Sequence, residues 1–202
     1  IAPQACDDCV SSGGAAREIW SERPHGVFWR LGADEGFEHE KFLYEGLDLQ
    51  FGEMKQSNTV LCIGLEDQLN DHPDDYRDRL AEAADRGMEM IFATPAMKVR
   101  IGDQLYWCAG ALAKVFEEEG GSVIYPGKPH DAIYDLALSR LADLGVEPGA
   151  GRVLCIGDSP ATDMMGALKR GYDGLYVGTG LKQHGDDFAA EVEELLAEYG
   201  AK

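Results

Sequence analysis

The feature that most constrains this chain is an alternation. Short, almost continuous apolar runs of three to six residues are separated by helix-length amphipathic segments, and most segments end on glycine. The apolar runs are Val27–Leu31, closed by Gly32, then 59–64, 88–93, 123–125, 152–156 and 174–177. The helical patterns span 14–23, 72–86 (Pro73 near its first turn, Gly87 after it), 109–119, 131–144, 161–169 and 186–198. A strand half-exposed to water alternates apolar and polar residues. A strand covered on both faces has no polar face and reads as a solid apolar run. Such runs alternating with helices specify an α/β fold with parallel sheets. Gly102-Asp103 marks a turn between two further short strands, and residues 33–40 read as a polar loop. The expected organisation is a core formed by 1–33 and 127–202, with a smaller α/β unit inserted over 34–126.

Charge narrows the partners. There are 37 Asp and Glu against 18 Lys and Arg, a net charge of -19. That field repels phosphate backbones and anionic lipid surfaces, so neither nucleic acid nor a membrane is expected as partner. No apolar run approaches the ~18 residues of a membrane span. The first residues lack the basic and apolar regions of a secretory leader. The five cysteines are odd in number and scattered, with Cys62 and Cys155 inside apolar runs. This suits a reducing, cytoplasmic setting. Cys6 and Cys9 form a lone C-x-x-C with no second pair at a zinc-site spacing, so they are not expected to hold a metal.

Two places carry the residue types of a phosphoryl site. In the first, Gly127-Lys128-Pro129 follows a strand and precedes a helix. In the second, Gly157-Asp158-Ser159 leads from a strand into a helix, with Asp163 five residues beyond Asp158. Strands of a parallel sheet open their carboxyl ends on one edge, where open α/β sheets bind ligands. Lys128 and Asp158 are 30 residues apart, about one βαβ unit. If the two strands are neighbours, Lys128, Asp158 and Asp163 meet in one crevice. Two carboxylates within about 4 Å repel by ~4 kcal/mol at an effective dielectric of 20, so a cation must offset them. Lys128 supplies one charge, and hard oxygen donors of this kind suit Mg²⁺. The alternative is that both aspartates only cap and charge the helix that starts there. Competing phosphate motifs are absent. Lys128 is followed by Pro129, against a Walker A loop, and Gly178-Thr179-Gly180 lacks the third glycine of a dinucleotide fingerprint.

These segments resemble the third and fourth motifs of the haloacid dehalogenase (HAD) superfamily of hydrolases. The order 92–95, 108–112, then Gly127-Lys128-Pro129 is similar to the class IIA, NagD-like branch with a large α/β cap. Residues 6–17 resemble the segment leading into that family's third core strand. The resemblance implies a Rossmann-like parallel-sheet core and an inserted cap. It implies a Mg²⁺-dependent phosphatase acting through an aspartyl-phosphate on a small phosphorylated metabolite. Lys128 would be catalytic, Asp158 and Asp163 would hold Mg²⁺ (Asp163 directly or through water), and Thr94 and Ser159 would contact substrate. The family's first motif, D-x-D-G, and the Ser or Thr of its second are missing. Ser11-Ser12 is a weaker match to the second motif than to the later segment. The expectation is therefore an incomplete core, truncated at its N-terminus by roughly one βαβ unit. The other reading is a non-catalytic binding or regulatory protein of the same fold. Where the family shows Asn-Pro-Asp, this chain has Thr94-Pro95-Ala96.

Overall fold

The structure, a computed structural model, describes residues 6–23, 26–33, 42–101, 103–147, 149, 151–178, 190, 193–194 and 197. The loop expected at 33–40 lies outside these residues apart from Ala33, as does most of the terminal helix expected at 186–198. Chain contacts divide the protein into two bodies, one spanning Cys9–Gly127 and one from Lys128 onward that also takes in the residues before Cys9.

The body from Cys9 to Gly127 is built on a five-stranded parallel sheet. Its strands are β1 (Val27–Leu31), β2 (Gln50–Phe51), β3 (Thr59–Cys62), β4 (Glu89–Phe92) and β7 (Ser122–Ile124), in the order β2-β1-β3-β4-β7. Three helices cover it: α1 (Ser12–Ser21), α2 (Arg77–Asp85) and α3 (Ala109–Glu118). A hairpin, β5 (Lys98–Ile101) and β6 (Gln104–Trp107), stands apart from the sheet. The solid apolar runs now have their cause. Successive side chains of a strand point to opposite faces, and both faces here are packed. Val60 and Cys62 of β3 join Leu31, Leu80, Phe92, Leu112 and Phe116 on one side. Leu61 and Ile63 join Ala16, Trp20, Phe28 and Ile91 on the other. Each fully buried large side chain contributes about 1.5–3 kcal/mol. Among the described residues one buried side-chain polar atom lacks a hydrogen-bond partner, the indole nitrogen of Trp20. All three tryptophans of the chain, Trp20, Trp29 and Trp107, belong to this body.

Two local expectations change. The helix anticipated over 72–86 is divided. A single 3-10 turn, Pro73–Tyr76, is closed by a reciprocal cap between His72 and Asp75, and α2 begins only at Arg77. The strand Val27–Leu31, expected to belong with the residues after 127, is an interior strand of this sheet. It pairs with β3 over four residues, from Phe28 with Thr59 to Leu31 with Cys62. Its apolar run is long enough to be covered on both faces, and it finds that cover here.

The body from Lys128 onward contains α4 (Asp131–Asp143), β8 (Leu154–Gly157), a wide π-type turn (Pro160–Met164), α5 (Met165–Arg170) and β9 (Asp173–Tyr176). β8 and β9 pair in parallel from Leu154 with Asp173 to Gly157 with Tyr176. Arg170 ties α5 to α4 through Asp131 at 3.0 Å and Asp135 at 2.7 Å. Its guanidinium lies 5.9 Å from the rings of both Tyr134 and Tyr172. Leu154, Ile156, Leu175 and Val177 are exposed. No helix among the described residues is long and apolar enough to cross a membrane.

Candidate active site

The carboxyl end of β8 carries the densest polar arrangement in the second body. Gly157 ends the strand, Asp158 and Ser159 follow, and the chain enters the π-type turn at Pro160. In that turn both the Asp163 and Met164 amides donate to the Ser159 carbonyl, at 2.9 and 3.2 Å. Asp163 is the fourth residue of that turn. Its Oδ2 accepts from the backbone N–H groups of Asp158 (3.2 Å) and Ser159 (3.1 Å). Its Oδ1 accepts from Lys128 Nζ at 2.6 Å. The Asp163 side chain is 9% exposed and that of Lys128 is 52% exposed. The anion is thus enclosed while the cation keeps an open side that can meet a ligand.

Lys128 and Asp163, expected in one crevice, are hydrogen-bonded to each other within the body that holds both. The strand ahead of Lys128, β7, is hydrogen-bonded to β4, whereas β8 pairs with β9.

Asp158 is half-buried beside the same turn. Ser159 contributes its backbone N–H and C=O, and its hydroxyl does not cap the turn. Thr94 belongs to the other body, exposed just past the end of β4. Among the described residues no group of three or more His, Cys, Asp or Glu side chains is gathered to hold a metal. Mg²⁺ is often bound by one or two carboxylates with water completing its shell. The Asp158 carboxylate suits that role. As placed, Asp163 accepts from the ammonium at Oδ1 and from two amides at Oδ2, which leaves one lone pair on Oδ1.

Two flanking side chains, Tyr134 and Cys155, were not assigned to the site from the sequence. Burial pushes the Tyr134 hydroxyl up to about 12, and the charges of Cys155 and Asp163 add to the effect. Burial, then Asp163, raises the Cys155 thiol, while Lys128 partly opposes this. Only one signal could have revealed Tyr134, the glycine at position 166 of α5. A Cβ there would fall on the Tyr134 hydroxyl.

A family model described as HAD-hydrolase-like matches residues 125–198. A crystal structure of a haloacid dehalogenase-like hydrolase from Brucella suis 1330 is 35% identical, with a TM-score of 0.71 over 89% of this chain and 67% of that one. The chain belongs to the haloacid dehalogenase-like hydrolase family. Members of this fold at lower identity include a p-nitrophenyl phosphatase from Archaeoglobus fulgidus (19% identity, TM-score 0.63, 95% of this chain and 67% of that one). Another is a glycerol phosphate phosphatase from Mycobacterium tuberculosis in complex with magnesium (20% identity, TM-score 0.60, 86% of this chain and 50% of that one). No curated protein matches the chain in sequence. For this HAD-like hydrolase, the matched segment 125–198 contains every side chain of the β8 site, from Lys128 to Asp163.

Proposed function

We propose that this hydrolase is a phosphatase of small phosphorylated metabolites, with Lys128 as its phosphate-facing cation and Asp158 as its Mg²⁺ ligand. The observation that carries the reading is the 2.6 Å pair between Lys128 and an Asp163 carboxylate that two backbone amides hold in place. A half-exposed ammonium whose position is fixed can meet charge that develops on a phosphoryl oxygen without first reorganising. Asp163 keeps that ammonium at the end of β8, and the Ser159 hydroxyl is close enough in sequence to orient an ester oxygen. A bound Mg²⁺ supplies Lewis-acid polarisation of the phosphoryl group. The solved p-nitrophenyl and glycerol phosphate phosphatases of the same fold favour a phosphate ester as substrate.

In this reading the residues from Lys128 onward belong to the catalytic core, and the body from Cys9 to Gly127 is the cap that selects substrate, with Thr94 among its contacts. The nucleophile would be an aspartate of a D-x-D-G segment, which passes the phosphoryl group through an aspartyl-phosphate to water. No D-x-D-G occurs in the sequence. A second reading is a non-catalytic binding or regulatory protein of the same fold.

One experiment separates the two. The product of the entire reading frame is assayed with p-nitrophenyl phosphate and glycerol phosphate, with and without Mg²⁺. Mg²⁺-dependent turnover that disappears in Asp158→Ala supports the phosphatase. Full activity in Asp158→Ala refutes the site assignment. Absence of turnover, with phosphate binding that is lost in Lys128→Ala, establishes the binding protein.

A further inference from the structure

The Asp163 carboxylate occupies the space where a side chain on residue 157 would be. A Cβ built on Gly157 would lie 2.2 Å from Asp163 Cγ, 2.3 Å from its Oδ2 and 2.4 Å from its Cβ, so a side chain at 157 would force the carboxylate, which has three hydrogen-bond partners, to shift. The wide turn is the second half of the device. In it the Asp163 and Met164 amides both donate to the Ser159 carbonyl, directly after the strand end that the Asp163 carboxylate overlies. Wide turns of this type are often found at functional sites.

We propose that Gly157 is a positioning residue. Its missing side chain is the seat of the Asp163 carboxylate, and through that seat it sets both the Lys128 ammonium and the Asp158-Ser159 backbone. Asp163 then acts as an anchor for Lys128 and the loop. The inference deepens the phosphatase reading and rests on it only for what the positioned groups do. The seat itself is a matter of geometry.

The test uses Gly157→Ala, Asp163→Ala and the double variant in the whole chain, read by NMR and amide hydrogen exchange. In Gly157→Ala the exchange protection of the Asp158 and Ser159 amides falls about tenfold, as expected for loss of a carboxylate-assisted hydrogen bond. The Lys128 Nζ proton signal, slowed from exchange by its pair with Asp163, broadens in the same variant. A merely structural glycine would not move that signal. In the Asp163→Ala background the seat is vacant, so alanine at 157 causes no further loss of protection elsewhere in β8 and β9. If Gly157→Ala fails to fold, recovery of folding in the double variant supports the seat, and failure of the double variant overturns it. Unchanged amide protection and an unchanged Lys128 signal in Gly157→Ala also overturn it. A protein that turns over no phosphate ester would sink the phosphatase reading and leave each of these readouts valid.

Discussion

Gly166→Ala sets two opposing effects of similar size against each other. Position 166 is helical and buried, so replacing glycine with alanine should gain up to about 1 kcal/mol from helix propensity. The new methyl group, however, lands on the Tyr134 hydroxyl, with the ring carbons Cζ and Cε2 at 2.7 and 2.9 Å. Overpacking of this kind costs typically ~1–3 kcal/mol. Tyr134 cannot easily give way. Its ring lies 6.2 Å from that of Tyr172, with the Arg170 guanidinium near both, and Arg170 is held by Asp131 and Asp135. The steric cost should win, leaving a net loss of about 1–2 kcal/mol. Urea unfolding followed by hydrogen exchange in peptides covering 152–176 measures it locally. Adding Tyr134→Phe removes the clashing oxygen and leaves the ring, so the double variant should recover part of the loss. The coupling between the two changes should exceed the ~0.3–0.5 kcal/mol expected of independent sites. A Gly166→Ala protein that is more stable than wild type, or strictly additive changes, would refute the close approach of α5 and α4.

Asp163→Asn should cost about 1–3 kcal/mol. It weakens the carboxylate's bonds to two amides, while the ion pair adds little because Lys128 is half exposed; a local urea midpoint equal to wild type would contradict this. Leu61→Ala, fully buried at the middle of β3, should lose about 2–5 kcal/mol, measured in the same way over residues 59–92. Alkali should weaken the body that contains Tyr134. Its hydroxyl is raised in the folded chain from the ordinary 10 to about 12, so the stability it contributes is intact below pH 10 and is lost as pH rises toward 12. Tyr134→Phe should remove that part of the alkaline loss in a pH series of unfolding midpoints.

What was legible in the sequence follows the reach of each signal. Burial on both faces writes itself into a strand as a run such as Thr59–Cys62, so strand positions and the α/β class could be read from local pattern. The short β2, two residues with neither side chain buried, leaves no such trace. Pairing is a property of distant segments. Nothing within Val27–Leu31 says that it joins Thr59–Cys62, and nothing within 123–125 says that its partner is β4. At the candidate site, the residue types of Lys128, Asp158 and Asp163 were plain. The contacts of the Asp163 carboxylate were not, because they depend on the backbone of the turn and on the space above Gly157.

The distribution of indole rings along the chain has a practical use. Trp20, Trp29 and Trp107 all lie between Cys9 and Gly127, whereas the residues from Lys128 onward contain none. Intrinsic fluorescence excited at the red edge of indole absorption therefore reports on the five-stranded sheet and its surroundings alone. A ligand or denaturant that alters this emission has perturbed the surroundings of an indole in that half of the molecule, whereas tyrosine absorbance, with four of the eight tyrosines in each half, cannot tell the halves apart.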